Sequence, residues 1–150
     1  MFKGKVFAKK FPTHFAFPGG GVEKNESAHQ AAVREITEET GSTVSALEHF
    51  TTIEWDWFPT WAKTPKQKDR YKRYRGERIH IFVGDVLSLG KPSSEEGDAW
   101  SGRVMHSISS VIQYLQSAKD HKNMDTYRVA QVCALKSLGM LAKDRRKRAL

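Results

Sequence analysis

The 150-residue chain is 39% hydrophobic and 28% charged, the size and composition of one globular domain with a core of its own. A single cysteine excludes an internal disulfide framework, no run of about 18 apolar residues appears, and the stretch MFKGKVFAKKFPTH lacks the uninterrupted apolar region of a secretory signal. One soluble, intracellular, cytoplasmic domain over residues 1–150 is expected, with no membrane partner. The formal charge of +8 is concentrated: residues 63–78 carry eight Lys or Arg against Asp69 and Glu77, residues 143–148 carry five against Asp144, and the rest is slightly acidic.

Residues 5–8 and 14–17 read as short strands. Phe17-Pro18-Gly19-Gly20-Gly21 then forms a loop in which backbone can approach another group closely. Ser27 suits an N-cap and Gly41 a left-handed helix end, which predicts a helix over about 27–40. Residues 49–57 and 78–88, rich in β-branched and aromatic side chains, read as strands separated by a long polar loop. Ile108, Val111, Ile112 and Leu115 recur at helical spacing, as do Tyr127, Ala130, Ala134, Leu138 and Leu141. Two helices therefore close the chain, the second over about 126–142 and followed by a basic tail, 143–150. Cys133 falls within the second stripe and is expected to be a small core residue.

Within the first helix, Glu35, Glu38 and Glu39 stand at i, i+3 and i+4 on one face. Neighbouring like charges repel by about 0.2–0.5 kcal/mol per exposed pair, so the helix itself gains nothing from them. A solvated acidic face is the plain alternative. A hard divalent cation, Mg²⁺ or Mn²⁺, is the countercharge that turns this repulsion into coordination. Mg²⁺ keeps several waters and usually binds through one or two carboxylates plus substrate phosphates, so such a site suits a diphosphate substrate.

From Gly20 to Ser42 the chain reads GGVEKNESAHQAAVREITEETGS, which fits G-x5-E-x7-R-E-U-x-E-E-x-G-U, with U a bulky aliphatic residue. Gly20, Glu26, Arg34, Glu35, Ile36, Glu38, Glu39 and Gly41 match, and Ser42 departs from the final aliphatic position. The segment resembles the Nudix box. The resemblance implies an α/β/α sandwich around a mixed β-sheet, with the box helix against one face. It also implies metal-dependent hydrolysis of a phosphoanhydride in a nucleoside diphosphate linked to another moiety: a nucleotide polyphosphate, dinucleoside polyphosphate, nucleotide sugar or RNA 5′ end. By position, Glu35, Glu38 and Glu39 would be metal ligands and carry the catalysis, joined by a carbonyl of Gly19 or Gly20 and by Glu26 in or near the metal shell. Arg34 would hold a helix glutamate in its productive rotamer. A further ligand is expected from the loop of residues 91–100, Glu96 first and Glu95 in reserve. Family members usually place more chain before the box than the 19 residues found here. The N-terminal strand region is therefore expected to be unusually short, its edge covered by the C-terminal helix or paired in a homodimer.

The group linked to the diphosphate is less legible. Trp55, Trp57, Phe58 and Trp61 could stack on a base, with core packing of at least one Trp as the alternative. Residues 63–78, with Lys72, Arg73 and Arg75 beside Tyr71 and Tyr74, suit a polyphosphate or an RNA or DNA backbone, as does the basic tail; a solvated loop is the alternative. The spacing Trp55…Pro59…Gly76-Glu77…Phe82 loosely resembles the diadenosine-polyphosphate and RNA 5′-pyrophosphate branches, with Glu77 where glutamine is usual. Pro59 equally resembles the ADP-ribose branch. A non-catalytic Nudix-fold module that binds nucleic acid stands beside the enzyme, and the intact Glu35, Glu38 and Glu39 favour the enzyme.

Overall fold

The structure, a computed structural model, describes residues 5–10, 15–45, 47–93, 105–117 and 125–148. Strands β1 (Lys5–Phe7), β2 (Lys9–Lys10) and β3 (Phe15–Ala16) precede helix α1 (Ala28–Thr40). Strands β4 (Thr43–Val44) and β5 (Glu48–Asp56), a 3₁₀ turn (Pro59–Trp61) and helix α2 (Pro65–Arg73) follow. Strands β6 (Gly76–Val83), β7 (Val86–Ser88) and β8 (Met105–Ser107) lead into helices α3 (Ile108–Ser117) and α4 (Asp125–Arg148).

Helix α1 has the ends its sequence asks for. The Ser27 hydroxyl accepts from the Gln30 amide while the Gln30 side chain accepts from the Ser27 N–H, a reciprocal capping box. Gly41 ends the helix at φ 65°, with its N–H donating to the Thr37 carbonyl at 2.8 Å. A side chain there would also meet the Lys91 backbone at 2.2 Å, so glycine is required twice over.

The longest ladder joins β5 to β6, antiparallel from Glu48↔Val83 to Asp56↔Gly76, with a register shift between His49 and Thr51. β1 pairs with β8, β2 with β3 and β4 with β7, and every ladder among the described residues is antiparallel. The expected strand over 78–88 is divided at Gly84-Asp85. There Ser45 and Asp85 exchange two hydrogen bonds, 2.8 and 2.9 Å, as the chain passes from its partner β5 to its partner β4.

Successive strand residues point to opposite faces, and Val6 and Phe7 show what covers each. Val6 joins Ala8, Phe15, Val111, Leu115 and Leu135 in one cluster, so α3 and α4 lie over that face. Phe7 packs with Val86, Val44 and Ile36, so α1 lies over the other. Helices thus cover both faces of β1, an α/β/α layering over four two-stranded antiparallel ladders among the described residues. Cys133 is exposed on α4, contrary to expectation, because the helix turns Gln131, Ala134 and Leu135 inward instead.

The polar stretch 63–78 is not a loop throughout: residues 65–73 form α2. Thr64 and Gln67 make a second capping box, Pro65 occupies the first turn, and Arg70, Lys72 and Arg73 stand at the negative end of the helix dipole. The excursion is closed at its base by the Trp57 N–H, which donates to the Arg75 carbonyl at 2.7 Å.

Candidate active site

Arg34 is the hub of the site. Its Nε and Nη2 form a two-pronged pair with the Glu26 carboxylate at 2.9 and 3.0 Å. Nη1 donates to Glu35 Oε1 at 2.9 Å and to Glu38 Oε2 at 3.2 Å, and Nη2 also reaches the Gly21 carbonyl at 3.0 Å. One planar cation thus ties the start of α1, its third turn and the glycine loop together. The hydrogen bonds it donates to Glu26, then to Glu35, raise the guanidinium's hold on its proton further. The same bond from Arg34, and next the Glu23 N–H, keep the Glu26 carboxyl below the usual carboxylate range.

The glycine loop packs directly on these carboxylates. Glu39 accepts from the Gly19 N–H at 3.0 Å. A Cβ on Gly20 would lie 2.2 Å from Glu35 Oε1, so the Glu35 carboxylate occupies the space that a side chain at residue 20 would take. Residues 19–42 carry five glutamates against Lys24 and Arg34, an excess of hard oxygen donors suited to a divalent cation. Among the described residues no three His, Cys, Asp or Glu side chains converge into a ready-made cage. Arg34 itself engages one oxygen each of Glu35 and Glu38, so the expected three-glutamate face is in part an arginine-glutamate network. The donor chemistry, with the Glu35 carboxylate packed onto the Gly20 backbone, fits a cation held by few protein ligands, with phosphate and water supplying the rest.

Loop and α1 together form one side of a cavity of about 760 Å³, completed by β6 and α4. Ala28, Ala32 and Ile36 face it from α1; Gln131, Ala134 and Leu135 face it from α4.

Other expected site residues fall elsewhere. Trp57 is 5% exposed, stacked on Trp61 at 4.1 Å with the Arg70 guanidinium 4.9 Å over its ring, so it is a core residue of the excursion rather than an open stacking surface. The side chain of Trp55 lies outside the described residues. Lys72 is exposed on α2, Arg73 is paired with Asp69, and Arg75 lies over the Tyr71 ring at 4.6 Å. Glu95 and Glu96 also fall outside the described residues. The chain leading to them lies against α1, where the Ser93 N–H donates to the Glu38 carbonyl at 2.9 Å. Gln131 and Arg70, both lining the cavity, were not anticipated. A polar residue spaced three and four before Ala134 and Leu135 was the available signal for Gln131.

The family model of the NUDIX domain matches residues 2–127, and the chain belongs to the Nudix family. It is 34% identical over 97 residues to an RNA pyrophosphohydrolase of Caulobacter vibrioides, covering 59% of this chain and 55% of that protein. It is 51% identical over 35 residues to a putative 8-oxo-dGTP diphosphatase of Bacillus subtilis, covering 23% of this chain and 22% of that protein. The chain therefore spans about half the length, or less, of these curated relatives. The solution structure of the E. coli ORF135 protein superposes with a TM-score of 0.41 at 23% identity, over 75% of this chain and 71% of that one. Among the described residues no helix is long and apolar enough to cross a membrane.

Proposed function

We propose that residues 1–150 form one Nudix hydrolase domain that cleaves a phosphoanhydride bond in a nucleoside diphosphate derivative, using Mg²⁺ or Mn²⁺, with RNA 5′ polyphosphate ends as the favoured substrate class. The carrying observation is the Arg34 network, which binds Glu26, Glu35, Glu38 and the glycine loop into one unit, the loop itself lining the cavity. Glu35, Glu38 and Glu39 would hold the metal, assisted by Glu26, a carbonyl of Gly19 or Gly20, and Glu96. When bound, the metal supplies charge stabilisation at the phosphoryl oxygens and an acidified water. Arg34 fixes the rotamers of Glu35 and Glu38, and the Gly19 amide fixes that of Glu39, so the carboxylates are oriented before substrate arrives. One of the helix glutamates receives the proton of the attacking water.

Two observations favour RNA over a small nucleotide. Helix α2 carries five basic residues against Asp69 and stands between β5 and β6, with Arg70 reaching the cavity wall. The relative matched over the greater length is named for action on RNA. The runner-up substrate class is a damaged or ordinary nucleoside triphosphate, supported by the shorter match. A non-catalytic binding module needs the basic helix and has no use for the Arg34 network. An intracellular location goes with nucleotide or RNA substrates, and the oligomeric state in solution tests the homodimer expected from the short N-terminal edge. Phosphate or pyrophosphate release from 5′-triphosphate RNA, dinucleoside polyphosphates and nucleoside triphosphates, with Mg²⁺, Mn²⁺ or a chelator, decides among these. Metal-dependent release, greatest from RNA, is expected; tight salt-sensitive RNA binding without release from any substrate would make the chain a binding module.

A further inference from the structure

Gln131 is at odds with its surroundings. It precedes Ala134, Leu135 and Leu138 by three, four and seven residues, on the stripe of α4 that packs inward, where an aliphatic side chain is the stable choice. It is 4% exposed, and its amide nitrogen has no hydrogen-bond partner among the described residues. Burying an unpaired amide costs about 1–3 kcal/mol, so the residue detracts from stability where leucine would add to it. The side chain lines the cavity that opens beside Gly19, Gly20 and Gly21.

We infer that Gln131 reads the base of the nucleotide whose phosphates lie at the glycine loop, its amide N–H donating to an acceptor on the base edge. This rests on the hydrolase reading above and names a specificity-determining residue for it. The cavity, about 760 Å³, lies within the roughly 300–1,000 Å³ range of small-molecule sites. Phe17, Phe82 and Leu135 give it apolar walls suited to the faces of a planar ring. Its two arginines, Arg70 and Arg78, are ion-paired with Glu77 and Glu54, which leaves a neutral heteroaromatic group a better occupant than a second phosphate. A purely apolar ligand would leave the amide unpaired. A base satisfies it, since a glutamine side chain matches the donor and acceptor pattern of a base edge.

The test is equilibrium binding of the four nucleoside 5′-monophosphates and ribose 5-phosphate, in chelator, to the wild-type chain, Gln131→Leu and Gln131→Glu, with melting curves for each. Without metal or turnover these affinities are measurable whether or not the chain is a hydrolase. Failure of the hydrolase reading shows separately, as absence of release from any substrate with metal. Wild type should prefer its best base over its worst by about tenfold, the size of one well-made hydrogen bond. Gln131→Leu should compress that ratio to about threefold or less while melting at a higher temperature. Gln131→Glu, of nearly the same size, should lose or reverse the preference, and ribose 5-phosphate should bind all three alike. A base ratio unchanged in Gln131→Leu and Gln131→Glu, or a wild type indifferent to the base, would overturn the assignment.

Discussion

Replacing Gly20 by alanine should disable the site and spare the fold. The new Cβ would lie 2.2 Å from Glu35 Oε1, 2.5 Å from its Cδ and 2.8 Å from Oε2, where ordinary contact begins at 3.4 Å. From 3.4 − 2.2, the carboxylate must retreat by about 1.2 Å. That displacement breaks the 2.9 Å bond from Arg34 to Glu35. A misplacement of about 1 Å in a positioned group costs about 10²-fold in rate, so kcat should fall by about that factor. Little stability should be lost, because the Glu35 side chain is the flexible end of a glutamate and 16% exposed. Gly20 has no positive φ, so alanine is conformationally acceptable there and restricts the unfolded chain by about 0.4–1 kcal/mol in favour of folding. Gly19→Ala and Gly21→Ala are the controls, since a Cβ at either meets nothing within 4 Å. Phosphate release at saturating Mg²⁺, with melting curves, separates the cases. A Gly20→Ala kcat within threefold of wild type, or equal losses in all three variants, would refute the packing argument.

Ser42, fully buried with its Oγ unpartnered among the described residues, should be improved by Ser42→Ala. Relief of about 1 kcal/mol would raise Tm by about 2–4 °C, and a lower Tm would show that the hydroxyl is satisfied. Glu26 contributes stability above the ordinary carboxylate value of 4.5, and loses it as pH falls through its lowered folded value, because Arg34 and the Glu23 N–H favour the ionised form. Glu26→Gln should therefore melt lower near neutral pH and show a shallower loss on acidification; parallel curves would contradict this. Replacing Lys72, Arg73 and Arg75 by Gln should raise KM for RNA with kcat largely intact. The salt dependence of RNA binding should also flatten, by about 0.7 per lost phosphate contact on a log–log scale. Unchanged kinetics and salt slope would make α2 an ordinary solvated helix.

The box was readable because its signals are local: Ser27 and Gly41 bound α1 in both sequence and structure, and the glutamate spacing depends on nothing outside that helix. Helix α2 escaped notice because it has no apolar stripe, although Thr64, Pro65 and Gln67 carried the start signal. Spacing alone also misjudged rotation. Cys133 fits the α4 stripe as well as its neighbours do, yet the helix turns Gln131, Ala134 and Leu135 inward, a choice made by the strands and α3 beneath it. Trp57 illustrates the same limit, since an aromatic residue at a strand end reads alike whether it awaits a base or stacks on Trp61. The Arg34 network needed coordinates, because Glu26 meets Arg34 only when the loop folds back on the helix.

Glu38→Gln and Glu39→Gln combined in one chain, assayed for release from its best substrate across a Mg²⁺ titration, tests the metal-holding role most directly. Turnover should fall by about 10³-fold or more. Melting temperature without metal should stay close to wild type, since relief of like-charge repulsion, about 0.2–0.5 kcal/mol per pair, offsets the lost Arg34–Glu38 bond. The rise in Tm that Mg²⁺ gives the wild type should disappear. Turnover within a few-fold of wild type, with the Mg²⁺-induced rise intact, would contradict the assignment of these glutamates to the metal.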